Sequence, residues 1–539
     1  MKLSRVLASG GLAVVAGLFL LGTSSRNVDA ATKQVLNWSE PSSLETLDPD
    51  QVDDSVGGEV LRNSNEGLYV LDGNNKLKLA GASNVTVSKD EKTYTFTLRK
   101  NAKWSNGKAV VAADYVYGWR RMVTPATAAP NAYLFDGIQN AEDIMNSKKS
   151  PDTLGVKAVG KYKLVVTLDK TIPYFKKLLV IASFNPLNEN AVNKYGKKYG
   201  TSSKYTLYNG PFVVKGWTGT NDKWNLQKNN YYWDKNQVKL AKINFQVTKS
   251  TTTSYNLYQS GKLDETLLSS EQARQLKNNK EFKSLEQART TYVDYNTTRK
   301  ALKNKNIRKA LSYAVNRKQL VKKVLGDGSV VSKNFVPEGL TSYKGKDFAK
   351  DAQVKEASEH SKTLAKKYWK KGLKELGVKK LTLTFLSDDD DTSKNTGEFL
   401  QSQYETTLPG LTVNLSDMPK KNRITKMMNQ DFDLVLTGWG AEFTDPLTYL
   451  NLMTSDNVYN FGKWNNSDYD KYVSSAKNDN ASDAAGRWKA MTNATNVLDE
   501  EQPLALLYQP TSALLLKSNV KGVKYNSVGG FVWKNAYIK

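Results

Sequence analysis

At ~100–200 residues per domain, 539 residues predict roughly three domains or lobes, and 39% hydrophobic with 24% charged residues is a globular composition. Cysteine is absent and histidine occurs once, as His360. This excludes disulfides, thiolate nucleophiles, cysteine zinc sites and iron–sulfur clusters, argues against a histidine-ligated metal, and leaves a Ser-His-Asp triad only if it uses His360. The 65 Lys and 13 Arg exceed the 53 Asp and Glu to give a net charge of +25. A lysine-weighted surplus suits diffuse, salt-screened attraction to a polyanion more than bidentate phosphate recognition.

Residues 1–30 read as an export signal. Lys2 and Arg5 precede an apolar run at 10–22, the length of a signal-peptide core and shorter than the ~20 residues of a membrane span. Val28 and Ala30 fit the small-residue cleavage pattern, so cleavage is expected after Ala30; the competing expectation is an uncleaved anchor. Removal of Lys2, Arg5, Arg26 and Asp29 lowers the net charge from +25 to +23. With no cysteine to carry a lipid, the mature chain is expected to be secreted and held at a Gram-positive type of cell surface by other means. An export signal also argues against a nucleic-acid partner.

Elements follow in chain order. Residues 34–39 read as a strand and 40–50 as turn-rich. Between 81 and 99 the chain alternates, with Tyr94, Phe96 and Leu98 on one face and Thr93, Thr95 and Thr97 on the other, a half-buried strand. Residues 104–107 form a turn, 112–122 a helix with an aromatic face of Tyr115, Trp119 and Met122, 161–168 a strand and 191–199 a short basic helix. After Asn209-Gly210-Pro211 come strands at 212–217, 224–228 and 242–248, a helix at 250–260 stopped by Gly261, and an extended segment at 292–297. Residues 306–326 read as one amphipathic helix. Helix 356–376, strand 381–386, helix 397–408, strand 411–415, helix 422–429 and strand 432–438 suggest an α/β lobe with βαβ units. Residues 480–500 are expected helical and 504–517 strand-like. No stretch reads as a linker, so the lobes are expected to exchange strands around a hinged cleft.

Catalytic chemistry has little to stand on. His360 lies in the lysine-rich stretch 355–371 and reads as a solvated surface residue. The four-aspartate run 388–391 lacks the glycine and glutamate spacing of a calcium loop and reads as a solvated loop. No phosphate-binding glycine loop occurs. The informative segment is GWGAEFTDP, 438–446: a buried strand ends in glycines, and Trp439, Glu442 and Asp445 follow closely. Glycine permits close backbone approach, a tryptophan offers an apolar wall and an acid receives a cation. These parts suit an extended peptide; equally, Trp439 could be core and both acids surface.

Further segments stand in a fixed order along the chain: SEPSSLETLDP (39–49), LRKNAKWSNGKAVVAADYVYGWRRM (98–122), NGPF (209–212), KNNYYWD (228–234), YQSGKLD (258–264), IRKALSYAVNR (307–317) and then GWGAEFTDP. On this set the chain, from about residue 34 to its end, resembles the oligopeptide-binding proteins of ABC importers, extracellular solute-binding family 5. The resemblance implies an α/β, periplasmic-binding-protein-like fold of the three-lobed type: two α/β lobes around a hinged cleft, plus an additional lobe. Lobe one would comprise 31–65, 205–296 and 509–539, the additional lobe 66–204, and the second gripping lobe 297–508, with crossings near 296 and 508. It further implies a monomeric, non-enzymatic receptor without cofactor or metal, which binds extended oligopeptides through their backbones and delivers them to an importer permease. By position Glu442 would meet the peptide α-amine, with Asp445 or Asp53 next in line. Trp439 would wall a pocket, Gly438 and Gly440 would offer backbone groups, and Asp53 and Tyr133 would line the cleft. For the peptide carboxylate, Lys420, Lys421, Arg423 and Lys426 are nearby, while Leu434 and Leu436 occupy strand positions where an arginine would serve. The rival expectation is an adhesin on the same fold whose basic surface binds teichoic acid, glycosaminoglycan or mucin.

Overall fold

The computed structural model describes residues 33–73, 75–353 and 358–539. The export signal expected at 1–30 and the start of the helix expected at 356 lie outside the described residues.

From Gln34 onward the described strands form four larger sheets and several two-stranded pairs. The first sheet runs in the order Val35–Glu40, Lys242–Val247, Lys223–Lys228, Phe212–Lys215. Val35–Glu40 lies parallel to Lys242–Val247 with Trp38 opposite Phe245, so strands 200 residues apart in the chain close one core. Trp38, Trp217, Trp224 and Trp533 fill it. The chain enters this sheet through the expected Asn209-Gly210-Pro211 turn. Asn209 exchanges hydrogen bonds with the Glu66 backbone, accepting from its N–H at 3.0 Å and donating to its C=O at 2.8 Å. A Cβ on Gly210 would lie 2.7 Å from the backbone of Ser64 and Asn65, so only glycine fits.

The second sheet is an antiparallel set, Ala82–Val87, Thr93–Leu98, Lys163–Thr167, Val156–Ala158. Tyr94, Phe96 and Leu98 are buried as the alternation requires. Helix Ala112–Val123 shares its core, burying Tyr115, Trp119 and Met122.

The third sheet has six strands in the order Val330–Val331, Leu504–Gln509, Arg289–Tyr295, Leu434–Gly440, Leu381–Asp388, Leu411–Met418. Leu381–Asp388 and Leu411–Met418 are parallel and joined through helix Asp391–Thr407, one of the expected βαβ units. Helices Lys305–Ala314 and Lys362–Leu376 pack on the same core.

Three local expectations are corrected. The helix expected over 306–326 breaks after Ala314: Val315 is extended, and the Asn316 side chain accepts from Gln319 N–H to cap a new start. Buried Arg317 donates to the carbonyls of Ser312 and Leu506 and so ties the break to a sheet strand. The strand expected over 504–517 is divided by Pro510 into Leu504–Gln509 and Thr511–Leu516, which belong to different sheets. The aspartate run is solvated only in part: Asp389, Asp390 and Asp391 are exposed, with Asp390 capping helix Asp391–Thr407, but Asp388 ends a strand and pairs with Arg423 at 2.6 Å.

That division marks the molecule's main topological feature. Thr511–Leu516 is the middle strand of a three-stranded sheet, between Glu265–Leu267 and Phe282–Glu286. Its neighbour in sequence, Leu504–Gln509, instead pairs with Arg289–Tyr295 in the six-stranded sheet. Two chain segments therefore pass between sheets side by side, at 287–288 and at 510. Gln287 N–H donates to Pro510 C=O at 3.0 Å, and Gln509 Nε2 to Gln287 C=O at 3.0 Å.

Candidate ligand-binding cleft

Strand Leu434–Gly440 owes its burial to Leu434, Val435 and Leu436, which are buried, while Thr437 to Gly440 are only half-buried. Its first two residues pair with Phe385 and Leu386 on one side. Along its whole length it pairs with Arg289–Tyr295 on the other. From Thr437 to Gly440 one edge thus has no strand partner among the described residues, and unpaired edge groups are a ready template for an added strand.

That edge faces a cavity of about 660 Å³ whose lining includes Asp53, Tyr133, Gly438, Trp439, Gly440 and Glu442. Six of the seven residues singled out in the sequence are brought together there. The cavity continues past Trp439 and Tyr459 into one of about 280 Å³. On its other side, past Arg62, Arg289 and Gly529, it continues into one of about 490 Å³. The three adjoin one another through these shared lining residues and together form the candidate groove.

Glu442 is half-buried, and Tyr133 Oη donates to its Oε1 at 2.6 Å. Burial raises the Glu442 carboxyl above its usual range, and the Tyr133 hydrogen bond opposes the rise. Trp439 leans on Tyr459 with ring centres 5.2 Å apart and lines two of the three cavities. Gly438 and Gly440 differ in their need for glycine. A Cβ on Gly438 would lie 2.9 Å from the Thr290 carbonyl and 3.0 Å from the Arg289 guanidinium, whereas one on Gly440 would meet nothing closer than 3.8 Å. Asp53 is exposed on the rim.

Asp445 stands apart. It lines a different cavity and is 1% exposed, held by Arg487 at 2.6 Å and Lys177 at 3.1 Å. Burial alone would raise its carboxyl, but Arg487 and Lys177 hold it down at about 2. With both oxygens committed to protein cations, it has a structural part of its own. Four contacts join the 438–446 segment to the region of the second sheet: Tyr133 to Glu442, Lys177 to Asp445 and to the Thr444 carbonyl at 2.7 Å, and Tyr174 stacked on Phe443 at 4.8 Å.

Sequence reading missed Arg62 and Arg289, which line the groove from a helix and a strand far apart in the chain. Arg289 Nη2 donates to the Gly438 carbonyl at 3.1 Å. Of the basic residues considered for an anion, Arg423 and Lys420 line the main cavity; Arg423 is already paired with Asp388. His360 is half-buried rather than solvated, and burial lowers its basicity. Among the described residues no helix is long and apolar enough to cross a membrane.

The sequence profile described as "Bacterial extracellular solute-binding proteins, family 5 Middle" matches residues 76–461. The chain belongs to that family. A "Dipeptide-binding protein" of Lactococcus lactis subsp. cremoris is 38% identical over 571 aligned residues, covering 100% of both chains. Among solved structures, "Listeria monocytogenes OppA bound to peptide" is 41% identical with a TM-score of 0.77, covering 94% of this chain and 100% of the other. The substrate-binding domain of an oligopeptide ABC transporter from Bacillus anthracis str. Ames is 37% identical with a TM-score of 0.78, covering 94% and 99%. This member of family 5 has a periplasmic-binding-protein-like α/β fold.

Proposed function

We propose that this family 5 protein is an extracellular receptor that holds an extended oligopeptide in the groove along Thr437–Gly440 and presents it to the permease of an ABC importer. The unpaired edge of that strand beside the main cavity carries the reading, because backbone hydrogen bonds along an added strand supply affinity that does not depend on sequence. Water in a roomy groove then adapts to varied side chains. The relatives named for dipeptides and oligopeptides support it, and favour it over adhesion by the basic surface.

In this reading Glu442 receives the peptide α-amine, Trp439 forms one wall, Tyr133 and Asp53 line the cleft, and Asp445 is withdrawn from the ligand set. The protein works by closure, without catalysis or cofactor. Lobe one is 34–65, 205–286 and 511–539, the additional lobe 66–204 and the second gripping lobe 289–509. The first crossing moves from near 296 to 287–288 because Arg289–Tyr295 is paired within the six-stranded sheet. The paired crossings form the hinge of a domain closure.

Titration calorimetry with a mixed library of 3- to 12-residue peptides, together with native mass spectrometry of protein purified from cells, tests the proposal. A spread of peptide masses and heat of binding are expected. No binding of any peptide, alongside tight binding of a sugar or a metal chelate, overturns it.

A further inference from the structure

The far cavity, of about 490 Å³, lies beyond Gly440 and away from Glu442. Three glutamates from separate elements line it: Glu40 at the end of strand Val35–Glu40, Glu59 in helix Ser55–Ser64 and Glu265 at the start of strand Glu265–Leu267. Glu40 is 5% exposed and Glu265 1%.

Their hydrogen-bond partners do not account for their number. Among the described residues Glu265 is held by Ser39 alone, through its Oγ at 2.9 Å and its backbone N–H, and Glu59 accepts from Phe531 N–H at 2.6 Å. Glu40 Oε1 is buried against the cavity with no partner at all. A buried carboxylate oxygen left unpaired is costly and calls for a donor. The cations that also line it are Arg62, which offsets Glu59, and Arg289, whose Nη2 donates to the Gly438 carbonyl. Both stand on the side shared with the main cavity. The chamber thus holds three glutamates against two arginines, and neither arginine hydrogen-bonds Glu40 or Glu265.

Burial drives the Glu265 carboxyl up to about 8 and Glu59 to about 7, and raises Glu40 strongly, with Glu59, Glu265 and Asp54 adding to the last. Carboxyls held in this way gain most from a cation that enters among them. A chamber opening from the peptide groove receives side chains, and the acidic one favours a basic side chain.

We infer that the cavity bounded by Glu40, Glu59 and Glu265 takes a lysine or arginine side chain of the bound ligand. The inference rests on the peptide-receptor reading and adds a preference to it. The shared chemistry is a cationic nitrogen, which a peptide also carries at its α-amine; Glu442, at the other part of the groove, is the group assigned to that amine.

The test is calorimetry with alanine-based pentapeptides in which one lysine is walked through every position, each beside its norleucine counterpart and each with a free and an acetylated N-terminus. At one position lysine is expected to bind about tenfold or more tightly than norleucine, with the same ratio after acetylation. The ratio is expected to collapse towards one in the double variant Glu40→Gln/Glu265→Gln. If that variant does not fold, the wild-type ratios decide alone. Equal binding of lysine and norleucine at all positions overturns the inference while leaving the peptide receptor intact. A ratio that vanishes on acetylation also overturns it, because the chamber then holds the α-amine. Failure of every peptide to bind defeats the receptor reading and this inference with it.

Discussion

Tyr133 and Glu442 lie 309 residues apart in the chain, yet the tyrosine hydroxyl donates to the carboxylate at 2.6 Å. The tyrosine orients a half-buried acid whose second oxygen accepts no hydrogen bond among the described residues. An ammonium bound there makes a charge-assisted bond worth about 1.5–3 kcal/mol. Glu442→Gln is therefore expected to weaken peptide binding about tenfold or more, and N-terminal acetylation to weaken it in the wild type but little in the variant. Because burial raises the Glu442 carboxyl, binding is lost on acidification through a pH above the ordinary glutamate value of 4.5. Tyr133→Phe removes the bond that opposes the rise and shifts that loss to still higher pH. Calorimetry across pH reads both; equal affinity for free and acetylated peptides moves the amine site elsewhere.

Asp445 should behave in the opposite way. Asp445→Asn leaves Arg487 and Lys177 without their shared counter-charge, and breaking one partner out of a buried ion pair costs about 3–5 kcal/mol. A large drop in melting temperature is expected, while Glu442→Gln should leave melting of the unliganded protein nearly unchanged. Melting curves of the two variants that cannot be told apart would refute the division of roles.

The two glycines offer a finer comparison. Gly438→Ala puts a methyl 2.9 Å from a backbone carbonyl that cannot swing aside, an overpacking cost of about 1–3 kcal/mol, and displaces Arg289. Gly440→Ala meets nothing closer than 3.8 Å and is expected to be tolerated. Thermal melting and peptide affinity of the two variants check this, with loss expected only for the first.

Stability of the unliganded protein should fall as pH rises. Glu59, Glu265, Asp294 and Asp50 are lifted by burial to about 7, 8, 7 and 8. Between their unfolded values near 4 and these folded values the native state binds more protons, so the unfolding free energy declines with pH through that window. Asp445 acts at the other end: its depressed carboxyl gives stability that is present above 3.8 and lost as pH falls towards 2. Melting temperature is expected to be higher at pH 5 than at pH 8, and Glu265→Gln to flatten the slope. A curve that rises between those two values would contradict the assignment.

The strands and helices with a clean period were legible in the sequence. Thr93–Leu98 alternates and is half-buried, and Ala112–Val123 turns its aromatic face inward. The break at Val315–Asn316 was not legible, because apolar spacing continues across it and the capping by Asn316 competes only once Arg317 reaches Leu506. Within the site, Trp439 and Glu442 were found because they sit in one short segment with glycines. Arg62, Arg289, Glu40 and Glu265 were missed because no local spacing links them; the packing of a helix and three strands from distant parts of the chain assembles them. Asp445 looked equivalent to Glu442 in the sequence, since its partners Lys177 and Arg487 come from distant segments.

The strand Thr511–Leu516, made long after its sheet neighbours, has a consequence for how the protein is made. It is the central member of its sheet, and among the described residues both outer strands, Glu265–Leu267 and Phe282–Glu286, pair only with it. A ribosome finishes those two strands more than two hundred residues before it supplies their common partner. The six-stranded sheet waits in the same way for Leu504–Gln509. Nascent chains therefore carry open strand edges until residues 504–516 have been made, and such edges invite aggregation. A truncation before residue 511 leaves that sheet without its middle, and the loss is one that no folding helper can make good.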